Sequence, residues 1–189
     1  MSQKIALLVH HEALAMRDKA EVFLYATRLE DDDNTEATEE ITKLWTEAMQ
    51  LADQRDQTQQ SSMNQEPQAT DWEAELAILA QLWTQHHSHL SLLQAFLVLH
   101  HVLYGILVPL INNTKDNQYA PAAAGYAEAL ALSPYCNQDH EDMNTTCLGQ
   151  SLALALQFYQ QAEDVNGIRR IQELQAQQEQ PSSSSEPEL

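Results

Sequence analysis

Residues 76–114 read LAILAQLWTQHHSHLSLLQAFLVLHHVLYGILVPLINNT, a stretch without Asp, Glu, Lys or Arg in a chain whose formal net charge is −19. Apolar residues recur there every three or four positions, through Trp72, Leu76, Leu79 and Trp83, then Leu90, Leu93 and Leu97, then Tyr104, Leu107 and Ile111. That spacing is the stripe of an α-helix. His86 and His100 fall on the same stripe, and from Leu90 onward Leu92, Phe96, Leu99, Leu103 and Ile106 make the opposite faces apolar as well. A helix apolar on every side belongs inside a protein core or a bilayer. As a single helix from Asp71 to Ile111 the segment would be roughly 60 Å long, more than a compact domain of this size needs. A break is therefore expected where polarity concentrates, at Gln85-His86-His87-Ser88-His89, with Ser88 or Ser91 capping a second helix. Gly105 and Pro109 are the expected points of kinking or termination.

Outward from this stretch the composition points the same way. Only four Gly and six Pro occur in 189 residues, and Ala, Leu, Gln and Glu dominate while β-branched runs are missing. The expected class is all-α, built as antiparallel helical hairpins or an irregular helical bundle. The length suits one domain or a short helical array. A first helix is expected over residues 2–29 and a second over 35–53, with Ile41, Leu44, Ala48 and Leu51 on one face, together an N-terminal hairpin of residues 1–53. The acidic turn between them alternates carboxylates at Asp31 and Asp33 but lacks the glycine and closing Glu of a calcium loop. Asp33 with Glu36 reads instead as a capping box. Residues 54–70, rich in Gln, Ser and Asn with Pro67, read as a flexible linker. Asp71 is the expected N-cap of the central region, residues 71–178. The polar loop of residues 112–120 leads to a helix opening at Pro121 and stopping at Ser133-Pro134, and residues 144–178 form a last hairpin. From residue 179 a serine- and proline-rich tail is expected to be disordered.

The stretch Ala122-Ala123-Ala124-Gly125-Tyr126-Ala127-Glu128-Ala129-Leu130-Ala131-Leu132-Ser133-Pro134 resembles the second helix of a tetratricopeptide repeat. The match consists of small residues at Ala122 and Ala129, an aromatic at Tyr126, leucines at Leu130 and Leu132, and a closing Pro134. Weaker matches lie at Ile41, Trp45, Ala48, Met49 and Leu51, and at Leu148-Gly149 with Asp164-Val165-Asn166-Gly167; Tyr104-Gly105 corresponds to the leucine-glycine pair of a repeat around residues 91–134. The resemblance implies helical hairpins whose groove takes up a partner helix or extended peptide. No residues match the basic clamp by which some of these domains grip acidic tails.

Acidity repels nucleic-acid phosphates, and the nine Lys and Arg residues form no cluster beyond Arg169-Arg170, so nucleic-acid binding is not expected. No phosphate loop, nucleophile elbow or metalloprotease helix is present, and a non-catalytic protein without cofactor is the expectation. The leading reading is an adaptor or small acidic chaperone whose partner is a protein, basic or aggregation-prone; a homo-oligomer is the other way to cover the apolar surface. Trp83, Tyr104, Tyr119 and Tyr126 are the candidate partner-binding residues, because aromatic anchors dominate binding energy in grooves. Core packing is the competing role, favoured for Trp83 and Tyr126. An alternative of another class is a metal- or haem-binding bundle using His86, His89, His100 and His101. Cys136, His140 and Cys147 offer a further three zinc ligands without a C-x-x-C spacing. A third alternative is a single membrane span over residues 90–111, opposed by Gln94, His100, His101, Pro109 and the lack of a positive flank. Two cysteines are too few for a disulfide framework, the N-terminal residues make a poor signal peptide, and a reducing cytoplasm is the expected compartment.

Overall fold

The computed structural model describes residues 23, 35–61, 68–137 and 144–179. Every regular element among them is helical, and the protein is an all-α helical bundle. α1 spans Thr35–Ser61 and α2 spans Ala69–His86, followed by a 3-10 turn at His87–His89. α3 (Leu92–His100) continues through a π-helical segment, His101–Leu107, into α4 (Val108–Thr114). A 3-10 turn at Asn117–Tyr119 precedes α5 (Ala120–Ala131) and the four-residue α6 (Pro134–Asn137). α7 (Asn144–Gln161) and α8 (Val165–Glu179) complete the chain.

α1 and α2 form an antiparallel pair, tied at one end by Glu40 and His86 and at the other by Arg55 and Glu75. α1 does not stop at Asp53. Its last two turns, 54–61, are helical where a linker was expected, because Arg55 is buried there against α2 and helps hold the end of the helix. α2 begins at Ala69 behind Gln68, so Asp71 lies in its first turn and is not the cap. The expected first helix lies outside the described residues apart from Phe23, which stacks on Trp45 with ring centroids 4.1 Å apart.

The break in the central stretch falls where polarity predicted it. Of the two candidate serines, Ser91 is the cap: its hydroxyl accepts from Gln94 N at 3.1 Å while Gln94 Oε1 accepts from Ser91 N at 3.0 Å. This reciprocal box satisfies two donors that a helix start otherwise leaves open. Pro109 does not end the helix at once. The segment before it has widened to π geometry, with Val108 N bonded to Leu103 O, and a wider turn relieves the clash between a proline ring and the carbonyl four residues back. The helix ends instead at Thr114, where Lys115 takes the left-handed conformation.

Through α3, the π segment and α4 the side chains are buried nearly all round: Leu93, Phe96, Leu97, Val98, Leu99, Val102, Leu103, Ile106, Leu107, Leu110 and Ile111. Each such burial contributes about 1.5–3 kcal/mol. The 23 residues Leu92–Thr114 are long and apolar enough to cross a membrane, but 67% of the apolar window is already covered by protein. Around this axis α5 packs on α7 through Ala120, Ala123, Ala124 and Ala127, small residues that allow close approach. The helix expected there is present, yet Ala122 is exposed and nothing approaches Gly125, so the face it buries differs from the one the repeat resemblance implies.

α7 and α8 turn on three residues. Glu163 adopts a positive φ of 56°, and Asp164 N bonds Tyr159 O while Glu163 N bonds Gln160 O, the two bonds of a Schellman motif. Asp164 then caps α8 by accepting from Asn166 N and Gly167 N, each at 3.0 Å. Gly167 has no side chain because the Tyr159 ring occupies the space a Cβ would need. Arg170 donates to both oxygens of Glu128 at 3.0 Å, the Tyr159 hydroxyl donates to Glu128 as well, and the guanidinium lies 5.5 Å from the Tyr159 ring centroid. Three helices, α5, α7 and α8, are thereby locked by one polar cluster.

The Arg170 hydrogen bond holds the Glu128 carboxyl below its ordinary range, while burial, assisted by Glu128, pushes the Tyr159 phenol from 10.0 up to about 12. The signs are opposite. A lowered carboxyl contributes stability above its unfolded pKa that is lost as pH falls through the folded value; a raised phenol contributes stability below 10.0 that is lost as pH rises toward about 12. Melting temperature measured against pH should therefore fall on both flanks, with Glu128→Gln flattening the acid limb and Tyr159→Phe the alkaline one. Limbs unchanged by either substitution would show that the cluster does not bear on stability.

Candidate functional site

The most unusual chemistry of the chain lies under the π segment. On α2 the buried positions are Trp72, Glu75, Leu79, Leu82 and His86, a stripe that shares Trp72, Leu79 and His86 with the one read in the sequence but takes Glu75 and Leu82 in place of Leu76 and Trp83. Leu76 and Trp83 are half-buried as a result. Glu75 has no exposed surface, and a carboxylate in that position needs partners for both oxygens. Arg55 Nη1 donates to Oε2, and His101 Nε2 lies 2.5 Å from Oε1. Opposite a guanidinium the carboxylate acts as acceptor at both oxygens, so the His101 proton is assigned to Nε2. The Arg55 guanidinium also lies 5.7 Å from the Trp72 ring centroid and 3.5 Å from Asp56.

His101 is fully buried, edge-on to Trp45 at 6.1 Å between centroids. Its ring rests against Gly105, where an added Cβ would come within 2.8 Å of the imidazole. Gly105 is thus the glycine that lets the histidine turn inward. The network joins α1, α2 and the π segment, and it is sealed from solvent, so its chemical capacity is to hold helices in place. Neither Arg55 nor Glu75 was singled out by sequence reasoning. The available signal was Glu75 itself, the lone acidic residue on a stripe whose other positions, Trp72, Leu79, Leu82 and His86, are apolar or histidine.

The four histidines proposed as metal ligands are not brought together. His101 faces Glu75; His100, its neighbour, packs between Phe96 and Tyr104 at 5.7 and 4.8 Å. His86 is buried 3.5 Å from Glu40, and His89 is exposed in the 3-10 turn. His87 Nδ1 sits 3.0 Å from Trp83 O, with its ring tilted on the indole. Among the described residues no three His, Cys, Asp or Glu side chains form a metal-binding group. The zinc alternative meets a different obstacle, since Cys136 and Cys147 are joined as a disulfide with Cα atoms 5.6 Å apart, and His140 lies outside the described residues.

Trp83, Tyr104, Tyr119 and Tyr126 are all half-buried and packed against the core. Burial pushes the Tyr126 phenol up. Tyr119 donates its hydroxyl to Glu73, near the start of α2, and Trp83 stands ten residues further along the same helix, about 15 Å away. Tyr119 and Trp83 therefore stand near opposite ends of α2. The large apolar side chains that stand clear of it are Leu92, Leu132 and Val165, at 56%, 55% and 76% exposure. A shallow, open depression runs along the solvated face of α1 past Thr38, Thr42, Thr46, Glu39, Lys43 and Glu47. Comparison with family models, curated proteins and solved structures yields no match for this chain.

Two substitutions probe the buried network. Glu75→Ala, which leaves a guanidinium in the core without its partner, should cost about 3–5 kcal/mol in denaturant unfolding. Gly105→Ala should destabilise by about 1–3 kcal/mol as the new methyl displaces the His101 ring, with a change in the near-ultraviolet circular dichroism of Trp45. A Glu75→Ala protein as stable as the parent would show that the carboxylate is not held as described.

Proposed function

We propose that this protein is a non-catalytic interaction protein, an adaptor or small acidic chaperone that takes up a partner helix or peptide. The observation that carries the reading is two large apolar side chains left exposed, Leu92 and Leu132. Leu92 opens α3; Leu132 stands between α5 and α6, and α6 packs on α3. Exposed apolar side chains on a strongly acidic surface favour a partner that is apolar on one face and basic around it. Such an occupant is an amphipathic basic segment, as found in a client not yet assembled. Half-buried Trp83, Tyr104, Tyr119 and Tyr126 supply aromatic surface that a longer ligand would reach in part. A tetratricopeptide-like ancestry for the α5, α7 and α8 region belongs to this proposal and rests on the 122–134 motif.

The test is capture of partners by the tagged chain from native lysate, sized by gel filtration with light scattering and with metal analysis of the same peak. A stoichiometric partner should co-purify. Leu92→Asp with Leu132→Asp should weaken its capture about tenfold or more without lowering the melting temperature, since both side chains are exposed. A metal-free homo-oligomer without partner would overturn the reading in favour of self-assembly, and a stoichiometric metal would return the histidines to consideration.

A further inference from the structure

The two cysteines stand where the shortest element is held in place. α6 has four residues, too few to persist by its own hydrogen bonds, because the first helical turn is unfavourable to form. On one side it is continuous with α5 through a tight turn: Leu132 N bonds Glu128 O, Ser133 N bonds Leu130 O, and Cys136 N bonds Ser133 O, at 3.0, 3.1 and 3.0 Å. Beneath it lie α3, α5 and α7. Cys136, with no exposed surface, is its contribution to the core. On the other side the tether is covalent, the Cys136–Cys147 bond to the first turn of α7. Leu132 lies two residues before α6, and Leu92 belongs to α3, on which α6 packs; both are already more than half exposed.

We infer that the Cys136–Cys147 disulfide is a redox latch, which holds α6 against α3 and α5 and whose reduction uncovers an apolar patch next to exposed Leu132. The reductant is a small thiol or dithiol of the glutathione or thioredoxin class. Its thiolate attacks Sγ of Cys147, which is the less deeply buried sulfur, and the Sγ of Cys136 leaves with the bonding electron pair and takes up a proton. A second thiolate then displaces Cys147 from the mixed disulfide, leaving two protein thiols and one oxidised reductant. Without the covalent tether, what holds α6 among the described contacts is its turn to α5, the burial of Cys136 and its packing on α3, α5 and α7. A reducing compartment thus opens the patch and an oxidising one closes it. Regulation of partner uptake by this latch rests on the interaction reading above, but the latch itself is tested without a partner.

The experiment compares the full chain, purified without reductant and alkylated at once, with the same chain treated with a phosphine. The untreated protein should remain unlabelled. After phosphine both cysteines should be alkylated, an apolar-surface dye should bind about fivefold more, and proteolytic cleavage around 132–137 should accelerate about tenfold, while far-ultraviolet dichroism stays constant. Cys147→Ser, which leaves Cys136 in its packed position, should give the reduced-state values with or without phosphine. Alkylation of both cysteines in the never-reduced protein overturns the latch. So does a disulfide whose reduction leaves dye binding and cleavage unchanged, which makes it a passive staple, or one whose reduction unfolds the whole bundle. Partner capture enters none of these readouts, so the latch and the interaction reading fail separately.

Discussion

A carboxylate with no contact to solvent governs the N-terminal half of this molecule. Burying a charge costs several kcal/mol unless paired and hydrogen-bonded, and Glu75 is placed in the core on α2. Three consequences follow in the structure. α1 extends beyond its apolar pattern so that Arg55 reaches one oxygen; His101 turns inward to meet the other; and Gly105 lacks a side chain so that the imidazole has room. The widened helical turn starts at His101, the residue that carries the contact. Local geometry that looks irregular along the chain is the solution to one desolvation problem.

The C-terminal half is held differently. There Glu128 is near the surface, meets Arg170 and Tyr159 at the edge of the core, and works in concert with a Schellman turn and close alanine packing between α5 and α7. Between the halves runs the apolar axis of α3, the π segment and α4, which needs cover on every side and receives it from both. Among the described residues, the large apolar side chains left exposed are Leu92, Leu132 and Val165.

Much of the architecture was legible along the chain because it is set over short range. Apolar spacing marked the helices, the polar residues at 85–89 marked the break, and Ser91, one of two candidate caps, opens the next helix. The reading erred where a contact joined distant residues. Arg55 sits in a Gln- and Asp-rich segment that looks solvated, and its partner is twenty positions away. The stripe on α2 was read through Leu76 and Trp83 because both are apolar, whereas the helix turns Glu75 and Leu82 inward once the carboxylate finds its two partners. The candidate site was less legible than the fold. Residue type alone selected four aromatics that the bundle half-buries and four histidines that it points in separate directions, since a helix presents neighbours such as His100 and His101 to different surroundings.

By itself the sequence determined an all-helical chain, the existence of a buried central segment, the position of its interruption and the closing hairpin. Each of these depends on side-chain periodicity and on capping groups within four residues of one another, interactions the chain carries wherever it goes. Tertiary structure alone decided which face of α2 is inside, that Arg55, Glu75 and His101 form one network, and that Cys136 and Cys147 are joined. Those outcomes depend on where separate helices bring their side chains, and the cost of a buried charge or the reach of a thiol is defined only once that packing exists.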